Sequence, residues 1–235
     1  MVSAIIHDFK HPGLNNMYHI NARTKYAMRY NGIKNLIIDI SVLENYHVSQ
    51  AFKLMNSYPS CNILDTLSLD DYRLTRRRII ECILATDMGN HTKTLASLKS
   101  RVDTFDIKSG RNIERMIFPE NLSKTFENQQ IVLSMIIHSA DISNPAKPEH
   151  VQKTWVDLIF IEFFKQGDLE TKQNLPISLL CDRKTTNIDK SQIGFMNFII
   201  IPTFESLLNI VPEINPYMDY LKSNLKKYEQ LANQK

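Results

Sequence analysis

Glycine is scarce in this chain, 6 residues in 235, and cysteine is scarcer still at 3. Few glycines leave few sites for tight turns and bulges, so helices joined by polar loops are expected over a strand-rich fold. Cys61, Cys82 and Cys181 are odd in number, far apart and form no CxxC pair, which argues against disulfides and against a structural zinc finger. A reducing compartment fits that usage. No sign of charge dominates, the formal net charge being +3. The one basic run, Arg76-Arg77-Arg78, is expected on a solvated helix face and makes no stripe for nucleic acid. Long hydrophobic runs are lacking as well. The stretch Phe198-Ile199-Ile200-Ile201 stops at Pro202, far short of the roughly 18 residues a membrane span requires. The first residues have neither the basic region nor the apolar core of a signal peptide. A cytoplasmic protein is therefore expected, with any membrane association left to a region outside this sequence.

What is present is ordinary globular composition, 43% apolar and 23% charged, in a length that suits one domain spanning residues 1–235. The 3.6-residue period predicts helices over about 24–30, 41–54, 70–88, 92–104, 128–143, 150–166, 189–201 and 213–231. Ser41-Val-Leu-Glu44 and Asp189-Lys-Ser-Gln192 have the capping-box form, Gly167 reads as a helix stop, and Pro202 as a kink or restart. Residues 31–39 read as a loop, and 106–121 are ambiguous between helix and loop. No period-2 strand is evident, so the fold class is all-α.

The chemistry-bearing residues are histidines and carboxylates in apolar surroundings. His7-Asp8 follows Ala4-Ile5-Ile6, and adjacent imidazole and carboxylate suit a divalent cation. A capped helix end with a buried histidine would read the same way. Asp141 sits in the apolar stretch 131–142, where a carboxylate is costly unless paired or ligating, and His138 lies one turn before it. His11, Glu44 and His47 add further candidates, with loop and capping roles open to the first two. The residues alone support a His/Asp metallohydrolase without excluding structural roles.

Six motifs then occur in order: HDFKHPGLNN at His7, SVLENYH at Ser41, ATDM at Ala85, HSADISNPAKP at His138, FFKQGD at Phe163 and KSQIGF at Lys190. Their order and spacing resemble the catalytic domain of class I 3′,5′-cyclic nucleotide phosphodiesterases along nearly the whole chain. That resemblance implies a compact all-α metallohydrolase of the His-Asp type. It implies two divalent ions, zinc and magnesium with manganese as an alternative, activating a hydroxide that opens cAMP or cGMP to a 5′-monophosphate. His7, Asp8 and Asp141 correspond to metal ligands and are expected to converge on one centre. Glu44, His11 and His47 correspond to residues that orient metal-bound water, and Thr86 and Asp87 to contacts with the second metal's water shell. Gln192 resembles the glutamine that bonds the purine edge. Phe195 resembles the ring that stacks on the base, with Ile159 and Phe163 as the opposite wall and Asn144 beside the purine. Trp155 is expected in the core. The partner implied is a cyclic nucleotide, and a second copy of the chain is a further candidate.

The departures are specific. The family's HNxxH, which supplies a general acid and a fourth ligand, lies upstream of the first His-Asp pair and does not occur here. The early helices of the domain are accordingly expected to be missing. The chain as given is then expected to hydrolyse cyclic nucleotides at least about a hundredfold more slowly than one carrying that motif. A catalytically silent relative that only binds, or another His-Asp nucleotide phosphohydrolase, are the alternatives. Tyr46 stands where many members have histidine, residues 32–39 look like a short insertion, and Leu180 lies in a loop that often carries methionine.

Overall fold

The structure is a computed structural model and describes residues 1–30, 41–104 and 125–234. The ambiguous segment 106–121 and the insertion at 32–39 fall outside the described residues. Within them every regular element is helical: α1 Val2–Ile6, α2 Asn16–Asn21, α3 Lys25–Tyr30, α4 Val42–Ser57, α5 Leu69–Leu84, α6 His91–Thr104, α7 Thr125–Asp141, α8 Glu149–Lys172, α9 Ile188–Phe195, α10 Ile201–Leu208 and α11 Asn215–Asn233. The chain forms two compact units, one of Met1–Thr94 with Phe126–His138, the other of Leu95–Thr125 with Ser139–Lys235.

In the first unit, α4 turns Val48, Phe52 and Met55 inward at helical spacing, and α5 answers with Ile79 and Ile83. Val2 and Ile6 of α1 pack on the same cluster. This seats the short α1, whose last turn leads straight into His7-Asp8. The basic run is only partly solvated. Arg76 lies over the Phe52 ring at 4.8 Å, while Arg77 and Arg78 lie over Phe126 at 4.1 and 4.5 Å. Their stems and planar heads cover aromatic faces that would otherwise meet water.

In the second unit, Met196, Ile200 and Phe204 pack with Met218, Leu221 and Tyr228 of α11, and Ala146 joins them. Several boundaries differ from expectation. α8 runs through Gly167 to Lys172, because Gly167 is buried where a Cβ would lie 1.9 Å from the Cys181 carbonyl oxygen. Glycine serves close approach there, and α8 stops at Gln173 followed by Asn174 in the left-handed region, φ 53°. α9 is capped by Asn187, whose Oδ1 accepts the Lys190 N–H at 3.0 Å, so Asp189-Gln192 is no capping box. Pro202 lies in the first turn of α10, where the helix restarts. The residues before it, Met196–Ile200, form a π-helical turn that opens room where proline lacks a donor and crowds the carbonyl four residues back. Trp155 is 54% exposed, outside the core, since α8 turns Gln152, Val156 and Phe160 inward instead.

Candidate metal centre

The centre of the first unit is Asp8, which follows α1 and lies between two histidines. His7 Nε2 stands 3.5 Å from one carboxylate oxygen and His47 Nε2 3.8 Å from the other. Both rings have their other nitrogen tied to a backbone carbonyl, His7 Nδ1 to Ala4 at 2.9 Å and His47 Nδ1 to Phe9 at 2.8 Å. A carbonyl only accepts, so each Nδ1 carries a proton, which in the neutral ring leaves each Nε2 with a lone pair toward Asp8. That is the arrangement of a metal-ligating imidazole oriented by its second nitrogen. His11 differs. Its Nδ1 accepts the Gly13 N–H at 3.0 Å, which in the neutral ring leaves Nε2 as a donor. His11 stacks against His47 with ring centres 5.5 Å apart, and ligand atoms of Asp8, His11 and His47 lie within 4.8 Å of one another.

Glu44 of α4 is not a capping residue. Its carboxylate accepts from Asn16 Nδ2 at 3.0 Å, and Asn16 Oδ1 accepts the Leu43 N–H at 2.9 Å. Asn16 thus does by tertiary contact what a capping box does locally, and no sequence rule singles it out beyond its place in the HPGLNN motif. Burial pushes the Glu44 carboxyl up to about 7, with the negative charges of Asp87 and Asp8 adding to the shift. Burial likewise lowers His47 below the usual imidazole range, although its bond to the Phe9 carbonyl opposes this. Thr86 donates to the Ile83 carbonyl at 2.8 Å, and Asp87 accepts the Gly89 N–H at 2.8 Å. Asp8 beside the imidazole nitrogens of His7, His11 and His47 forms a donor set that a divalent cation would satisfy.

Asp141 is the last residue of α7 and is exposed, at the start of the second unit. Its carboxylate therefore keeps its solvation and is not a buried charge, because the apolar run ends one turn earlier. His138, one turn before, is fully buried and its Nε2 meets His91 Nδ1 at 2.9 Å.

The second unit holds the expected base-binding residues. Gln192 is buried on α9 and Phe195 ends that helix, half-buried against the core. Phe163 on α8 stands edge-on to Phe160 with centroids 5.7 Å apart, and Ile159 one turn before it is exposed. Asn144 opens the short 3₁₀ turn Asn144–Ala146 and donates to the Gln152 carbonyl at 3.4 Å. Asn224 of α11 secures that turn, its amide donating to the Pro145 and Lys147 carbonyls at 2.8 Å each.

Fold and site together describe an all-α chain with a His/Asp donor set suited to divalent metal. Residues 1–221 match the 3′5′-cyclic nucleotide phosphodiesterase family, and the chain belongs to that family. It is 37% identical over 225 residues to the 3′,5′-cyclic-AMP phosphodiesterase 4C of Rattus norvegicus, covering 95% of this chain and 39% of the rat protein. It is 35% identical over 232 residues to isoform F of the 3′,5′-cyclic-AMP phosphodiesterase of Drosophila melanogaster, covering 98% of this chain and 33% of that one. Among solved structures, the phosphodiesterase domain of the rhodopsin phosphodiesterase from Salpingoeca rosetta superposes with TM-score 0.83 at 33% identity, over 99% of this chain and 68% of that one. The chain thus spans well under half of those curated relatives' lengths.

Proposed function

We propose that this chain carries the metal-holding and base-binding parts of an enzyme that hydrolyses 3′,5′-cyclic nucleotides, cAMP or cGMP, to 5′-monophosphates. The observation that carries the reading is Asp8 between the Nε2 atoms of His7 and His47. Family membership and two relatives that act on cyclic AMP by name support it. His7, Asp8 and Asp141 are the proposed ligands for two divalent ions, zinc and magnesium. Such ions, when bound, polarise a phosphodiester and ease loss of a proton from water.

The chain's own residues then have separable tasks. Glu44, fixed by Asn16, and His11, with a donor at Nε2, orient the attacking water. Asp87 and Thr86 face the second ion's water shell. Gln192 can present either its carbonyl or its amide, and so serves adenine or guanine. Phe195 stacks on the base, with Ile159 and Phe163 as the opposing wall and Asn144 at the purine edge. No helix among the described residues is long and apolar enough to cross a membrane, and three free thiols support a reducing, cytoplasmic setting.

The test is chromatographic detection of 5′-AMP and 5′-GMP formed from cAMP and cGMP with zinc and magnesium present. The full-length protein should form at least one monophosphate, and Asp8→Asn should lower the rate at least about a hundredfold. An Asp8→Asn protein as fast as wild type would remove Asp8 from the centre.

A further inference from the structure

Ser41 has the sequence position of a helix cap but does not act as one. It precedes α4, yet its side chain makes no capping bond, and its backbone sits in the left-handed region at φ 52°, ψ 49°. Non-glycine residues avoid that region at a cost of the order of a kcal/mol, and such strain persists only where the surroundings over-determine it. Ser41 is buried, 4% exposed, and its hydroxyl donates to Asp87 Oδ2 at 2.6 Å. Ser41 Oγ in turn accepts from Asn90 Nδ2 at 3.3 Å, and Asn90 Nδ2 also reaches the Leu84 carbonyl at 3.2 Å. The other Asp87 oxygen, Oδ1, takes the Gly89 N–H at 2.8 Å. Each oxygen of Asp87 thus has its own donor, and the carboxylate plane is fixed.

We propose that Ser41 is a positioning residue: its strained backbone aims a buried hydroxyl that holds the Asp87 carboxylate toward the cation centre. The inference rests on the reading of Asp87 as a residue of that centre. The geometry explains why serine occupies a position where glycine would relax the backbone. Glycine would lose the hydroxyl that reaches a side chain 46 positions away in sequence. It also links α4, which carries Glu44 and His47, to the turn after α5, which carries Thr86 and Asp87.

The test is calorimetric titration of the chelator-stripped full-length protein with Mn²⁺ alone, a probe independent of turnover. Four proteins are compared: wild type, Ser41→Gly, Asp87→Asn and the double variant. Ser41→Gly keeps the left-handed backbone at ease, so it removes the hydroxyl without demanding a strained fold, and Ser41→Ala serves as the second variant. Both serine variants should bind Mn²⁺ about tenfold more weakly than wild type. In the Asp87→Asn background the serine change should add less than about twofold, because the hydroxyl acts through that carboxylate. Wild-type affinity in both serine variants, with Asp87→Asn weakened, overturns the inference and leaves the reading of Asp87 standing. An equal loss in both backgrounds also overturns it, since the effect would then not pass through Asp87. Unchanged affinity in Asp87→Asn overturns the reading of Asp87 and the inference with it.

Discussion

His19 shows at the scale of one residue how burial converts to pH dependence. It is 2% exposed on α2, its Nδ1 is 3.0 Å from Thr24 Oγ1, and Tyr18 and Tyr26 stand edge-on to its ring. Burial, helped by the charge on His11, lowers its pKa from 6.5 to about 4. The folded protein therefore keeps the ring neutral while the unfolded chain takes up a proton. Stability from this residue is complete above pH 6.5 and is lost as pH falls toward about 4, by roughly 3 kcal/mol at most. Urea unfolding of wild type and His19→Gln across that window should show a steeper acid loss in wild type. Identical pH slopes would assign the acid sensitivity to other groups. At the proposed base site, Phe195→Ala should raise KM for cyclic nucleotide by roughly 5–100-fold, the equivalent of about 1–3 kcal/mol of stacking, with a smaller change in kcat. An unchanged KM would take Phe195 out of the pocket.

At the scale of elements, the longer helices are readable because apolar residues recur at 3.6-residue spacing, as at Val48, Phe52 and Met55 or Ile79 and Ile83, whereas α1 and α2, of five and six residues, are too short to show a period. Helix ends are less readable. Ser41 and Glu44 match a capping box, yet each side chain finds a partner from elsewhere in the unit, Asp87 and Asn16. Tertiary bonds outcompeted the local motif, and spacing alone does not reveal them. Gly167 misled for a similar reason, its lack of a side chain answering to Cys181 and not to a helix stop. Two α-helical glycines among the described residues of the second unit give a paired prediction. Gly167→Ala should destabilise by more than about 2 kcal/mol, since the new Cβ meets backbone at 1.9 Å. Gly194→Ala, with nothing within 4 Å of the added carbon, should leave stability equal or raise it by up to about 1 kcal/mol. Thermal melts of both variants check this, and comparable losses in the two would contradict the close-packing account of Gly167.

At the scale of the whole molecule, the sequence motifs carried the family and the structure supplied what orients the site. The motifs name His7, Asp8, Glu44 and His47, but the tautomers of His7 and His47 follow from carbonyls at Ala4 and Phe9 that no motif specifies. The apolar neighbours of Asp141 predict a buried charge, whereas α7 ends at that residue and leaves it exposed. The claim on which the rest depends is that a divalent cation sits at Asp8. Anomalous diffraction at the zinc edge, on crystals of the full-length protein grown with zinc and magnesium, tests it most directly. The account predicts a zinc peak about 2.0–2.2 Å from His7 Nε2 and from an Asp8 carboxylate oxygen. A peak elsewhere, with His7 Nε2 and Asp8 bonded only to each other, would contradict it.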